Sequence, residues 1–154
     1  MTIELQIPGR PSRAIAFLLL DVNGTLTRRG MLLDGVAERL ETLRPLVEVQ
    51  LLSADTFSTL PALATQLALP ARTVGSGEEK QAVLRDLGPD RCVAIGNGSN
   101  DALMLAEAAV GIAIVGPEGC SAEALSACDV VCGSIVDALD LLLDPRALAA
   151  TLRR

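Results

Sequence analysis

The chain contains no histidine, tryptophan or tyrosine, and its aromatic residues are Phe17 and Phe57 alone. Without histidine, Ser-His and Cys-His nucleophile pairs, imidazole general bases, phosphohistidine chemistry and most zinc sites are excluded, so acid–base work falls to Asp, Glu or Lys. Without Trp or Tyr there is little on which to stack bases. Basic residues are sparse too: 13 Lys and Arg stand against 19 Asp and Glu, a net charge of -6 with no clustered basic stripe. Nucleic acid and anionic lipid surfaces are therefore not the expected partners. The cysteines Cys92, Cys120, Cys128 and Cys132 lack CxxC spacing and read as buried, reduced thiols of a cytoplasmic protein. Long apolar runs are missing, which predicts no membrane insertion. The run AIAFLLL after Arg10 and Arg13 ends in DVNGTLT rather than in a small-residue cleavage site, so it does not read as a signal peptide.

What is present is an aliphatic core. With 154 residues and 50% hydrophobic content the chain suits one domain over residues 1–154, its core built from Leu, Val, Ile and Ala. Ile3, Leu5 and Ile7 alternate with polar residues up to Pro8-Gly9, an edge strand or hairpin arm over residues 1–13. Continuous apolar runs predict strands at Ala14–Leu20, Val47–Leu52, Cys92–Ile95, Gly111–Val115 and Asp129–Cys132, with a weaker one at Arg72–Val74. Helices are expected at Leu33–Leu43, Ser58–Ala68, Glu78–Leu87, Asn100–Ala109, Ser121–Ala127 and Ser134–Leu143, with another turn or two after Asp144-Pro145. Strict alternation of strand and helix implies a doubly wound, Rossmann-like α/β fold: a parallel sheet with helices on both faces.

In such sheets ligands bind beyond the carboxyl ends of the strands. Asp21 and Asn23 follow the first strand, Ser53, Ala54 and Asp55 the second, and Gly96-Asn97-Gly98-Ser99-Asn100-Asp101 the fourth; Lys80 opens a helix that reaches the same edge. Read singly, Asp21 ends a strand, Ser53 is a turn hydroxyl, Lys80 a solvated helix lysine, and GNGSND a tight turn with Ser99 or Asn100 as helix cap. Their coincidence at one edge suits a phosphoryl group beside Mg²⁺. Asp21 and Asp101, with an amide oxygen and a main-chain carbonyl, supply hard oxygen ligands. Asp21 is the candidate nucleophile and aspartyl phosphate, and Lys80, Ser53 and loop groups at Ala54 and Asn100 would neutralise and hold the phosphoryl oxygens.

At these residues the sequence resembles the haloacid dehalogenase superfamily, whose four motifs match DVNGTLT, Ser53, Lys80 and GNGSNDALML in that order. Within it the chain is most similar to the phosphorylation domain of P-type ATPases, on GTLT after the aspartate, LLSADT, and GNGSNDALMLAEAAVGIAI, in the manner of a soluble, stand-alone relative. The resemblance implies that Asp21 is phosphorylated, that Asn23 offers Mg²⁺ its backbone carbonyl, that Ser53 and Lys80 bind phosphate, and that Asp101 completes the metal site, with Asn97 as a further candidate ligand. Two departures matter. Asn23 stands where superfamily phosphatases carry an acid–base aspartate, and an amide cannot exchange that proton, so turnover should be slow. Asn97 replaces the usual first acid of the fourth motif, which should lower metal affinity.

The gaps between motifs leave room for a flap, roughly Thr27–Met31, and single helices, not for a cap domain. Specificity would then come from a macromolecular substrate, from a neighbouring subunit of a homo-oligomer, or hardly at all. The expectation is a Mg²⁺-dependent phosphohydrolase or phosphotransferase acting on a phosphorylated substrate. The alternatives are a phosphate-sensing or partner-binding domain of P-type ATPase character, and a subunit that regulates a membrane pump in trans.

Overall fold

Each predicted run takes its place in a computed structural model that describes residues 1–154. In chain order the elements are β1 (Ile3–Leu5), β2 (Arg13–Ile15), β3 (Phe17–Asp21), β4 (Thr27–Arg28), β5 (Met31–Leu32), α1 (Val36–Leu43), β6 (Glu48–Ser53), α2 (Leu60–Leu67), β7 (Ala71–Thr73), α3 (Gly77–Leu87), β8 (Cys92–Gly96), α4 (Ala102–Glu107), β9 (Val110–Ile114), α5 (Ala122–Ala127), β10 (Val130–Cys132), α6 (Ile135–Leu143) and α7 (Pro145–Leu152). The main sheet has six strands in the order β10-β9-β8-β3-β6-β7, all pairs parallel. This is the doubly wound α/β architecture that the alternation predicted.

The aliphatic strands are buried because both of their faces are covered. Leu18, Leu20, Val49, Leu51, Val93, Ile95 and Ile112 pack with apolar residues of α1, α2, α6 and α7. Their sequence neighbours Leu19, Leu52, Ala94 and Ala113 point the other way, onto Val83 and Leu84 of α3, Met104 and Leu105 of α4, and Ala124 of α5.

Several boundaries differ from expectation. The run Ala14–Leu20 is two strands: β2 pairs antiparallel with β1, and β3 alone enters the main sheet. The break falls at Ala16, whose N–H donates to the Arg91 carbonyl while its own carbonyl accepts from the Glu48 N–H. The helix expected from Leu33 starts at Val36 because Gly35 holds a left-handed conformation with φ 82°. The helix expected from Asn100 starts at Ala102, the preceding Ser99–Asp101 forming a 3-10 turn. After Asp144-Pro145 the expected further turns form an eight-residue helix, α7.

Chain direction places the site. From β3 the chain runs to β6 and β7 on one side, then crosses to β8, β9 and β10 on the other. The connections therefore diverge at the carboxyl end of β3, flanked by β6 and β8, which is where ligands bind in open parallel sheets. The β4–β5 hairpin rises there as a flap, its turn formed by Arg29 (φ 49°) and Gly30 (φ 79°).

Candidate active site

Asp21 is the last residue of β3 and lies at the switch point with 5% of its surface exposed. Lys80, in the first turns of α3, is completely buried, unlike the solvated lysine that SGEEK suggests in isolation. Its ammonium donates to Asp21 Oδ1 at 2.8 Å and to Asp101 Oδ1 at 2.7 Å. Ser76 caps α3 by accepting the Glu79 N–H, which sets the helix start and so the depth at which Lys80 enters.

Burial and the neighbouring charges shift the protonation of Asp21 and of Lys80. Burial and the nearby Asp101 carboxylate push Asp21 up to about 6, against the pull of the Lys80 cation and the Thr25 hydroxyl. Burial pulls Lys80 down, but the two carboxylates outweigh it and hold the ammonium above its ordinary range. Two carboxylates against one ammonium leave the cluster with an excess negative charge when all are ionised.

Asp101 faces inward. It is fully buried, and besides the Lys80 bond on Oδ1 its Oδ2 accepts the Asn97 N–H at 3.1 Å and the Gly98 N–H at 2.9 Å. It, not Ser99 or Asn100, ties the GNGSND turn. Gly96 makes room for it: a Cβ there would sit 2.4 Å from the Asp101 carboxylate. The sequence placed Asp101 in the metal site; it is absent from the lining of the cavity and faces Lys80 and the loop instead.

The open part of the site is a shallow cavity of about 200 Å³ lined by Asp21, Asn23, Ala54, Thr56, Asn97, Gly98 and Asn100. The side chain of Asn23 lies 3.5 Å from Ser53 Oγ, its amide donating, and its main-chain carbonyl accepts no hydrogen bond. Ser53 Oγ also accepts the Asp55 N–H at 2.9 Å, which leaves the serine's own hydrogen free. Asn97 donates through Nδ2 to the Gly119 carbonyl at 3.1 Å, so its Oδ1 is turned toward Thr25.

Thr25 escaped the reading of the sequence as a site residue. It is completely buried and donates to Asp21 Oδ2 at 2.9 Å, with Asn97 Oδ1 3.2 Å from the same hydroxyl. The signal was a β-branched hydroxyl four residues after the aspartate, in a loop that folds back: the Gly24 N–H bonds the Thr27 carbonyl, and Leu26 N–H the Val22 carbonyl. Glu118 was missed as well. Its carboxylate takes the Arg29 N–H at 2.9 Å and ties the flap to the loop after β9.

No family model matches the chain. Two uncharacterized proteins of Methanocaldococcus jannaschii are similar to it. One is 46% identical over 63 residues, spanning 41% of this chain and 68% of that protein. The other is 49% identical over 39 residues, spanning 25% of this chain and 89% of that protein. Among solved structures, a Streptomyces avermitilis chain assigned to the HAD hydrolase family superposes with TM-score 0.68 at 18% identity, over 85% of this chain and 84% of that one. The 3-deoxy-D-manno-octulosonate 8-phosphate phosphatase of Moraxella catarrhalis, in complex with magnesium, phosphate and KDO, gives 0.67 at 19%, over 90% and 94%. The catalytic domain of the CPx-ATPase CopB-B gives 0.56 at 22%, over 77% of this chain and 46% of that one. The shared fold is that of the haloacid dehalogenase hydrolases.

Proposed function

We propose that this chain, which belongs to one family with the two Methanocaldococcus proteins and has the haloacid dehalogenase fold, is a Mg²⁺-dependent phosphohydrolase or phosphotransferase working through an aspartyl phosphate on Asp21. The observation that carries the reading is the fully buried Lys80 ammonium bridging Asp101 and Asp21, the latter lining the switch-point cavity. A cation buried beside the strand-end carboxylate is costly to keep unless paired, and here it offsets part of the negative charge against which a phosphoryl group must approach Asp21.

The donor set fits Mg²⁺. Asp21, the unbonded Asn23 carbonyl and Asn97 Oδ1 are all hard oxygens, with no nitrogen or sulfur donor beside them. The ion would lie among those three residues and supply Lewis-acid compensation for the phosphoryl charge. Asp101, buried behind the lining, serves to hold Lys80 and the loop.

An Asp21 oxygen attacks phosphorus, and the bond to the leaving group breaks with its electron pair on the departing oxygen. Lys80 keeps one N–H beyond the two given to the carboxylates, and the free Ser53 hydrogen and the exposed loop at Ala54 serve the phosphoryl oxygens. The departing oxygen takes its proton from water, because Asn23 has none to give. Water then attacks phosphorus, releases inorganic phosphate and restores the Asp21 carboxylate. Without an acid–base carboxylate both steps are slow, and substrates with weakly basic leaving groups, acyl or aryl phosphates, react best. No cap covers the cavity: β3 is followed by the flap and α1 alone before β6.

Asn23 also favours a second reading, a regulatory domain that accepts or senses phosphate without useful turnover. Intact-mass spectrometry with acetyl phosphate and Mg²⁺, beside phosphate release from p-nitrophenyl phosphate, tests both. A mass gain or release that needs Mg²⁺ and disappears in Asp21→Asn supports the phosphoryl chemistry. A persistent adduct without release selects the regulatory domain, and neither signal at millimolar Mg²⁺ refutes the enzyme.

A further inference from the structure

We infer that Asn97 makes Mg²⁺ and phosphate binding interdependent, so that the site takes the two together and holds either one alone weakly. The inference rests on the phosphohydrolase reading and concerns the order in which its site fills. Among the residues lining the cavity, Asp21, Asn23, Ala54, Thr56, Asn97, Gly98 and Asn100, Asp21 alone can carry a charge. The second carboxylate, Asp101, is walled off: it is fully buried, and Lys80 and the Asn97 and Gly98 N–H groups occupy its oxygens. Asn97, which lines the cavity, is held by Gly119 through Nδ2, and the oxygen it has for a cation is the neutral carbonyl 3.2 Å from the Thr25 hydroxyl.

Charge then sets the coupling. Lys80, Asp21 and Asp101 together carry one net negative charge. A phosphate dianion entering alone would bring that buried site to three, which the single ammonium cannot compensate. A divalent cation entering alone meets one carboxylate, Asp21, already bonded to Lys80 and Thr25, and two neutral carbonyls, a poor set for an ion that surrenders its waters reluctantly. Entering together, they return the cluster to one net negative charge, and the phosphate oxygens replace the carboxylate that Asn97 does not supply. By linkage the enhancement is the same whichever ion is varied. An aspartate at 97 would make the cluster with Mg²⁺ neutral before any phosphate arrived and would let the metal bind first.

Isothermal titration calorimetry of the whole chain tests this, with MgCl₂ titrated in the absence and presence of saturating inorganic phosphate, the converse titration, and correction for the soluble magnesium phosphate complex. The expected result is that each ion tightens the other's Kd at least about tenfold, within the ~5–150-fold range of known coupling. Asn97→Asp should tighten Mg²⁺ alone by a similar factor and reduce the coupling to within about threefold, in protein whose circular dichroism matches the wild type. Wild-type affinities that differ less than twofold between the arms overturn the inference, whatever the variant does. So does coupling in Asn97→Asp equal to that of the wild type. If phosphate and Mg²⁺ bind in neither order nor together, the phosphohydrolase reading falls with it; if both bind independently, that reading stands and the coupling alone is refuted.

Discussion

Replacing Lys80 by methionine removes the ammonium while keeping a linear side chain of similar length. In the folded protein the ammonium sits 2.8 Å from one carboxylate and 2.7 Å from the other, fully buried. At an effective dielectric near 20 each pair is worth about 6 kcal/mol of direct attraction, most of it offset by the cost of burying the charges. What the substitution exposes is the reverse situation, two buried carboxylates with no cation, and breaking a buried pair in this way typically costs about 3–5 kcal/mol. For a chain of this size that lowers Tm by on the order of 10 °C. The loss must depend on pH. Asp21 stands at about 6, raised above 3.8, so in the metal-free protein its contribution is fully present below 3.8 and is lost as pH rises through 6. Without Lys80 the carboxyl is raised further, so protonation relieves the variant while the wild type has less to gain. Urea unfolding of metal-free wild type and Lys80→Met at pH 5 and pH 7.5 should show the larger deficit at pH 7.5. A deficit below about 1 kcal/mol, or one equal at the two pH values, would refute the charge argument.

Asn23→Asp restores a carboxylate able to exchange a proton above Asp21, and phosphate release from p-nitrophenyl phosphate should rise at least about tenfold, toward the ~10²–10⁴ of general acid–base catalysis; an unchanged rate would show that proton transfer is not what limits turnover. Because a proton on Asp21, at about 6, competes with the metal, apparent Mg²⁺ affinity measured by calorimetry should be flat above that pH and fall toward about tenfold per unit below it. Thr25→Val removes the hydroxyl that favours ionised Asp21, so the acid limb of the pH–rate profile should move to higher pH, which steady-state rates between pH 5 and 8 would detect. Gly96→Ala drives a methyl to 2.4 Å from the Asp101 carboxylate and should cost about 1–3 kcal/mol in urea unfolding, together with the loss of any phosphoryl adduct.

The strands of the main sheet were legible because burial on both faces forces unbroken aliphatic runs, and the polar residues that end those runs mark the sheet edge directly. The same continuity hid the break at Ala16, where an apolar stretch passes from a hairpin into the sheet without a polar residue to announce it. Asp21, Asn23, Ala54, Asn97 and Asn100 line one cavity as the strand ends implied, with Ser53 and Lys80 bonded to residues of that lining. The direction of Asp101 was not legible. Spacing brings the acid to the edge, but only the fold of the GNGSND turn, with two N–H groups closing onto the carboxylate, aims it at Lys80 rather than at the opening. Thr25 was hidden for a similar reason, since nothing local distinguishes a turn hydroxyl from one folded back onto the aspartate four residues earlier.

Burial divides the site into two parts with different freedom to change. Lys80, Asp101 and Thr25 are completely enclosed and bonded to Asp21 or to one another, so substituting any of them disturbs the switch point of the sheet as well as the chemistry. Asn23 and Asn97 are half-buried, line the opening, and make side-chain contacts that the isosteric carboxylates could only partly reproduce: Asn23 donates to Ser53, and Asn97 donates to Gly119. The groups that the proposed chemistry assigns to Asp21 phosphorylation are thus integral to the fold, whereas the positions assigned to acid–base transfer and to the metal lie on the lining. On the proposed phosphoryl chemistry, a site of that composition would favour formation of a phosphoenzyme over its hydrolysis. It follows that restoring acids at 23 and 97 should act on different steps, the first on turnover and the second on metal binding, with effects that combine independently only if the two amides have no shared role in holding the loop.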